Sequence, residues 1–373
     1  MFFWYFLYMC KKFSNDEYIL ALSSNYNIGS KSIFKLIKIF DDLSVLWKSP
    51  EILNKIISKD SIFAEIVKTI KTIDIDHIKA NLTKLNINYI TYFDKSYPTI
   101  LKEISDPPAI LYYKGKLPKN SDLCFGVVGS RKYTSYGKNA TCDIVSGLSK
   151  SGLIIVSGLA LGIDAIAHKK TLDVGGKTLA VLGCGLDMIY PSSNVGLANQ
   201  IIQSGGAIIS EYPPKIPPYK SNFVLRNRII AGLSLGILVV EAAKKSGTLL
   251  TARAAMDYNR EVFAVPGSIY SYASEGANNL IKYGASPAMS YLDILSQLNI
   301  QQLSSEKRMQ EILPDNKFEK IILDNMIGSD GIHIDKLSKI CDFNISDISS
   351  HLTLMEMKGK VRNLGGNIYI ISK

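Results

Sequence analysis

Residues 123–164 read LCFGVVGSRKYTSYGKNATCDIVSGLSKSGLIIVSGLALGID, and this stretch decides the fold. Two short apolar runs, 125–128 and 153–156, flank a segment long enough for one helix. Each run stops at a small-residue turn, Gly129-Ser130-Arg131 after the first and Ser157-Gly158-Leu159-Ala160 after the second. A short apolar run bounded by turn residues reads as a buried strand, and strands alternating with helices build a parallel sheet. The pattern recurs at 179–182, 207–209, 236–240 and 262–265. Six such runs, spaced by amphipathic stretches out to about 290, predict an α/β domain with a doubly wound, extended Rossmann-like parallel sheet.

Working outward, the segment from Tyr18 to about Leu85 has apolar residues at helical spacing in 32–40 and 52–57, so a small all-α N-terminal domain is expected over 1–95. Within it, Tyr26-Asn27-Ile28-Gly29-Ser30 lies between two helical runs. A glycine turn of this kind serves any tight helical hairpin, and in a helix-hairpin-helix it aims backbone amides at a DNA phosphate. Prolines at 98, 107 and 108 mark a lead-in to the sheet, which places the second domain at 96–298. A polar linker is expected at 299–314. The remaining 315–373 show three helical patterns and two β-prone segments separated by Leu364-Gly365-Gly366-Asn367, the outline of a winged-helix domain.

The chain of 373 residues exceeds one ordinary core, and its 47% hydrophobic content is ample for burial. Its formal net charge of +10 comes from scattered Lys and Arg, which favours an anionic partner without identifying one. The five cysteines show no CxxC spacing and the four histidines no HxxxH spacing, so free thiols in a reducing compartment are expected, with no metal and no cofactor. The opening MFFWYFLYMC has about ten apolar residues, too few for a bilayer that needs ~20, and lacks a signal peptide's charged start. A buried first helix, or an extension upstream of Met9, is expected, and no membrane association.

In an open α/β sheet the ligand site lies beyond the carboxyl ends of the strands. Gly129-Ser130-Arg131 offers a close backbone approach, a helix N-terminus and a guanidinium that can fork onto phosphate oxygens. It is not a GxGxxG loop, and Ser157-Gly158 stands where a dinucleotide site needs a ribose-binding acid. His168 reads as a packed helix histidine rather than a general base, and Asp187 or Asn194 as helix caps. The fourth strand leads to Tyr219-Lys220-Ser221-Asn222-Phe223 and Arg226-Asn227-Arg228, where cations alternate with aromatics as a single nucleic-acid strand requires. Ser246-Gly247-Thr248 is a further anion cradle. Several such sites along one edge suit a polymer better than one small ligand.

The ordered set Gly129-Ser130-Arg131, Ser157-Gly158 to Asp164, Gly183 to Asn194, Ser210-Glu211-Tyr212-Pro213, Phe223 to Ser234 and Ser246-Gly247-Thr248 resembles the DNA-processing protein A (DprA/Smf) family over essentially the whole chain. The resemblance implies a cytoplasmic, non-enzymatic protein that binds and protects incoming single-stranded DNA in natural transformation and helps load the RecA recombinase. It also implies a homodimer and a sterile-alpha-motif-like N-terminal domain. Its DNA site corresponds to Gly129, Ser130 and Arg131, Lys220, Arg226 and Arg228; the sheet-edge reading adds Gly158, Asn222, Phe223, Asn227, Ser246, Gly247 and Thr248. Two alternatives stay open. One is a phosphoribohydrolase-like enzyme using Glu241 and Arg228; the other is a transcription regulator reading duplex DNA through 345–358, where few side chains could read bases.

Overall fold

The structure is a computed structural model that describes residues 13–53, 61–300, 316–326, 329, 331–358 and 360–371. The opening apolar stretch and nearly all of the expected linker lie outside the described residues. Contacts divide the chain into two compact units, Met1–Ile294 and Leu295–Lys373.

Among the described residues, the first unit holds nine strands: β1 (Asn88–Thr91), β2 (Ile110–Gly115), β3 (Cys124–Val128), β4 (Ile154–Ser157), β5 (Thr178–Leu182), β6 (Ala207–Ser210), β7 (Gly236–Val239), β8 (Glu261–Ala264) and β9 (Ser286–Pro287). They form one sheet in the order β1-β2-β6-β5-β4-β3-β7-β8-β9. From β6 to β9 every pairing is parallel. All six apolar runs became strands of this parallel part. The connection from β3 turns one way to β4 and later strands fall on its other side at β7, so the topological switch point lies at β3. The loops after β3, β4 and β7 therefore face one crevice.

Three strands of this sheet depart from the sequence reading: the two-residue β9, which follows the last apolar run, and the antiparallel β1 and β2. β1 falls inside the segment expected to be all-α, and β2 inside the proline-marked lead-in. The helix Ile75–Lys84 ends at a C-cap, and Asn86 takes a left-handed φ of 52°, after which the chain extends. β1 pairs antiparallel with β2, and β2 with β6, so both depend on a partner far along the chain rather than on local pattern.

Side chains alternate across each strand and feed two cores. In β5, Leu179 and Val181 join one cluster with Ile229 and Ile230, while Ala180 and Leu182 join the other. That second cluster also contains Leu20, Leu22, Ile33 and Leu36 from the helices Asn15–Ser23 and Ser30–Ile39. The N-terminal helices thus share a core with the sheet. A hydrogen bond of 3.0 Å between the buried Ser23 and Tyr112 hydroxyls crosses this junction.

The second unit packs helices Lys317–Met326, Ile334–Cys341 and Ile345–Met357 beside strands β10 (Ile332–His333), β11 (Val361–Asn363) and β12 (Ile368–Ile371), in the order β10-β12-β11. Gly365, Gly366 and Asn367 all have positive φ in the turn between β11 and β12. This is the expected winged helix. Beneath it, Glu319 is 2% exposed and accepts from Lys360 Nζ at 2.6 Å.

Candidate nucleic-acid interface

The loop after β3 is folded by its own serine. Ser130 Oγ accepts the Lys132 N–H at 3.1 Å and donates to the Lys132 carbonyl at 2.7 Å. That turn leaves Arg131 and Lys132 exposed. The loop after β4 supports it from behind, since the Ile163 N–H donates to the Ser130 carbonyl at 3.2 Å. Gly162 makes the contact feasible: its φ is +84°, and a Cβ there would stand 2.3 Å from the Ser130 oxygen and 2.7 Å from Arg131 Cα. Glycine is the residue that combines that backbone angle with that approach.

The loop after β7 closes the crevice from the other side. Thr248 Oγ1 donates to the Gly129 carbonyl at 3.1 Å, and the Thr248 N–H donates to Ser246 Oγ at 3.2 Å. Asn227 Nδ2 reaches the Gly247 carbonyl at 3.5 Å. The helix Lys220–Gly232 brings the aromatic component. Arg131 lies over the Phe223 ring, Cζ 5.7 Å from its centroid, in cation–π range. Tyr190, 44% exposed, packs against Phe223 with ring centroids 5.5 Å apart. Lys220 and its neighbour Tyr219 are exposed at the helix start.

The two arginines of Arg226-Asn227-Arg228 are placed otherwise than a free cationic surface requires. Arg226 is 4% exposed, and its Nη1 donates to the carbonyls of Gly158 (2.7 Å) and Val181. Gly158 must be glycine because a Cβ would lie 2.4 Å from that guanidinium. Asp164, also buried, accepts the Gly158 N–H at 3.1 Å; burial raises its carboxyl above the usual range against the pull of Arg226. Arg228 forks onto Glu211 with two contacts of 2.7 Å and approaches Asp106 at 3.4 Å. Both arginines therefore brace the floor of the site, Arg226 on main-chain carbonyls and Arg228 on Glu211. Asn222 is fully buried as well, and its Oδ1 accepts from the Tyr26 hydroxyl at 2.8 Å.

Other expectations resolve in the same way. His168 is fully buried, with Nδ1 2.7 Å from Thr178 Oγ1. The threonine hydroxyl donates to the Ile155 carbonyl, so Nδ1 carries the ring proton and Nε2 stays bare. Burial, with Arg226 nearby, depresses its pKa to about 3, and this is a packed histidine. Asn194 occupies the N-cap of the helix Val195–Gln203 without a side-chain cap hydrogen bond, and the side chains of both Asp187 and Asn194 are spent elsewhere. Asp187 accepts the Lys215 N–H at 2.9 Å, and Asn194 Nδ2 holds the Leu159 carbonyl of the β4 loop at 2.8 Å. The enzymatic alternative needs Glu241 and Arg228 free to act together. Glu241 is 1% exposed and accepts from Thr134 N (3.0 Å) and Oγ1 (2.5 Å), while Arg228 is held by Glu211.

Sequence reasoning quoted Tyr219 among the aromatics beside Lys220, Tyr190 within the Gly183 to Asn194 motif and Tyr26 in the glycine turn, but assigned none of the three to the site. The contact of Tyr26 with Asn222, 196 residues away, carried no signal in the sequence. Among the described residues, no group of His, Cys, Asp and Glu could hold a metal, the cysteines Cys124, Cys142, Cys184 and Cys341 are free, and no helix is long and apolar enough to cross a membrane.

The profile of the family described as DNA recombination-mediator protein A matches residues 88–299, and that of the DprA winged helix domain matches residues 309–367. Protein Smf of Synechocystis is 39% identical over 310 residues, covering 82% of this chain and 78% of that protein. The DNA processing protein DprA of Streptococcus pneumoniae is 45% identical over 204 residues, 55% of this chain and 72% of that one. Its X-ray structure superposes with a TM-score of 0.66 at 36% identity, covering 77% of this chain and 98% of that chain. DNA processing protein A of Helicobacter pylori, solved for its single-stranded DNA binding mode, gives a TM-score of 0.51 at 31% identity over 58% of this chain and 98% of that one.

Proposed function

Since the chain belongs to the DNA recombination-mediator protein A family, we propose that it binds single-stranded DNA across the crevice at the β3 switch point. Arg131 and Lys220 meet phosphates, and Phe223 with Tyr190 offers ring faces to bases. The backbone of Gly129, Ser130, Ser246, Gly247 and Thr248 frames the strand. Gly158, Asn222, Arg226, Asn227 and Arg228 act beneath it as positioning residues. The observation that carries this reading is the convergence of three loops and one helix start on Arg131 and Phe223. A single-stranded DNA relative of known structure adds support.

The wider role rests on family membership. In it the protein is a cytoplasmic, non-enzymatic homodimer that protects incoming DNA during natural transformation and helps load RecA on it. Steady-state release of free base from nucleoside monophosphates would count against the non-enzymatic reading. The site itself is tested by titrating labelled oligo-dT against the Arg131→Ala and Lys220→Ala variants at several salt concentrations. Each lost charge-assisted contact weakens binding by roughly 10- to 100-fold. Each also lowers the log–log salt slope by about 0.7. Parental affinity and slope in both variants would overturn the assignment.

A further inference from the structure

A second cleft opens beside the sheet-edge site, between the helix Ser30–Ile39 and the loops that follow β1 and β6. Its volume is about 1080 Å³. One wall carries Lys31, Lys35 and Lys38. Their spacing of four and three residues places them on one face of the helix. They extend over roughly 10 Å along the axis at 1.5 Å per residue. All three are exposed, and the helix sequence SKSIFKLIKI contains no carboxylate. Among the described residues none of the three pairs with an acid, and Lys35 lies 5.3 Å from the Phe63 ring centroid. The opposite wall adds Lys102, 5.1 Å from the centre of the Tyr92 ring, and Phe93, which is 51% exposed.

The two acids that border the cleft share one arginine, which leaves a single net negative charge against the four lysines. Glu211 and Asp106 are both engaged by Arg228, and Ser30 Oγ also donates to Glu211 at 2.7 Å. The cleft also continues into the site already described. Tyr26, on its rim, lies 5.9 Å from the Tyr212 ring and 6.0 Å from the ring of Tyr219, which precedes Lys220. A row of cations beside exposed rings, joined to a strand site by an aromatic step, has the form of a track for a polymer rather than a pocket for one small anion.

We infer that this cleft is a second segment of the nucleic-acid path. The single strand leaves Lys220, passes Tyr219 and Tyr26, and lays its phosphates along Lys31, Lys35 and Lys38. The inference rests on the sheet-edge reading, and the test separates the two. In the full chain, a triple Lys31→Ala, Lys35→Ala, Lys38→Ala variant is compared with Arg131→Ala on a short oligo-dT of about 6 nucleotides and a long one of about 20. The triple variant binds the short oligonucleotide as the parent does. It binds the long one about tenfold or more weakly, with a salt slope reduced by about 2, and the corresponding triple Arg variant restores both. Parental affinity and slope for the long oligonucleotide in the triple Ala variant would overturn the proposal, as would equal losses for both lengths. Arg131→Ala weakens both lengths; if it weakens neither, the sheet-edge reading fails whatever the lysine variant does. Among the described residues the three side chains have no ion-pair partner and only Lys35 has a ring contact, so thermal unfolding of the triple variant stays close to that of the parent and excludes misfolding.

Discussion

Arg131 and Arg226 of the same crevice meet opposite fates, one exposed over the Phe223 ring and the other buried on two main-chain carbonyls. Arg226→Ala takes the guanidinium donor away from the buried Gly158 and Val181 carbonyls, and leaving a buried polar group unsatisfied costs about 1–3 kcal/mol. Urea unfolding of Arg226→Ala should show that loss, whereas Arg131→Ala stays within about 0.5 kcal/mol of the parent and loses only DNA affinity. The sequence marked both residues as cations on a helix start or loop. It could not say which was buried, because the carbonyl of Val181 that receives Arg226 comes from a strand 45 residues away. His168 makes a second residue-scale prediction. Its folded pKa of about 3 lies below the unfolded value near 6.5, so between those values the unfolded chain takes up a proton that the folded protein does not. The stability it contributes is complete above about pH 6.5 and declines as pH falls towards 3. Denaturation midpoints at about pH 7.5 and about pH 5 should differ more for the parent than for His168→Gln, and equal differences would remove His168 from the account.

Among the elements, the loops after β3 and β4 work as one unit because Gly162 lets them touch. Gly175, after the helix Ile163–Asp173, also has a positive φ, +74°, but a Cβ there would meet nothing within 4 Å. Alanine at either position carries a left-handed strain of roughly 1–2 kcal/mol. Gly162→Ala additionally displaces the Ser130-Arg131 backbone, so it should lose oligo-dT affinity as well as stability, while Gly175→Ala loses stability alone. Binding isotherms for the pair decide the matter. The parallel strands β3 to β8 were legible in the sequence because each is an apolar run closed by a turn, whereas the two-residue β9 has no such run. The antiparallel β1 and β2 were not: Asn88-Tyr89-Ile90-Thr91 is too short to show a period, and its pairing depends on β2 and, through it, on β6.

For the whole molecule, the chain reading separated 1–95 from the sheet domain, yet one hydrophobic cluster joins Leu20, Leu22, Ile110, Tyr112 and Leu182. Local periodicity identifies helices and leaves unstated which surface they cover. A chain beginning after Lys84 would expose that cluster and break the Ser23–Tyr112 hydrogen bond. It should aggregate on size-exclusion chromatography, whereas a chain ending at Ile300 should keep cooperative unfolding and short-oligonucleotide binding, in line with the division into Met1–Ile294 and Leu295–Lys373. The same intimacy gives the Tyr26–Asn222 hydrogen bond a thermodynamic consequence. A ligand of the helical face that must turn Tyr26 away from Asn222 changes the free energy of DNA binding at Lys220 and Phe223. Linkage is reciprocal, so DNA changes the affinity of that ligand by the same factor, and the two sites share one coupling constant measurable from either side.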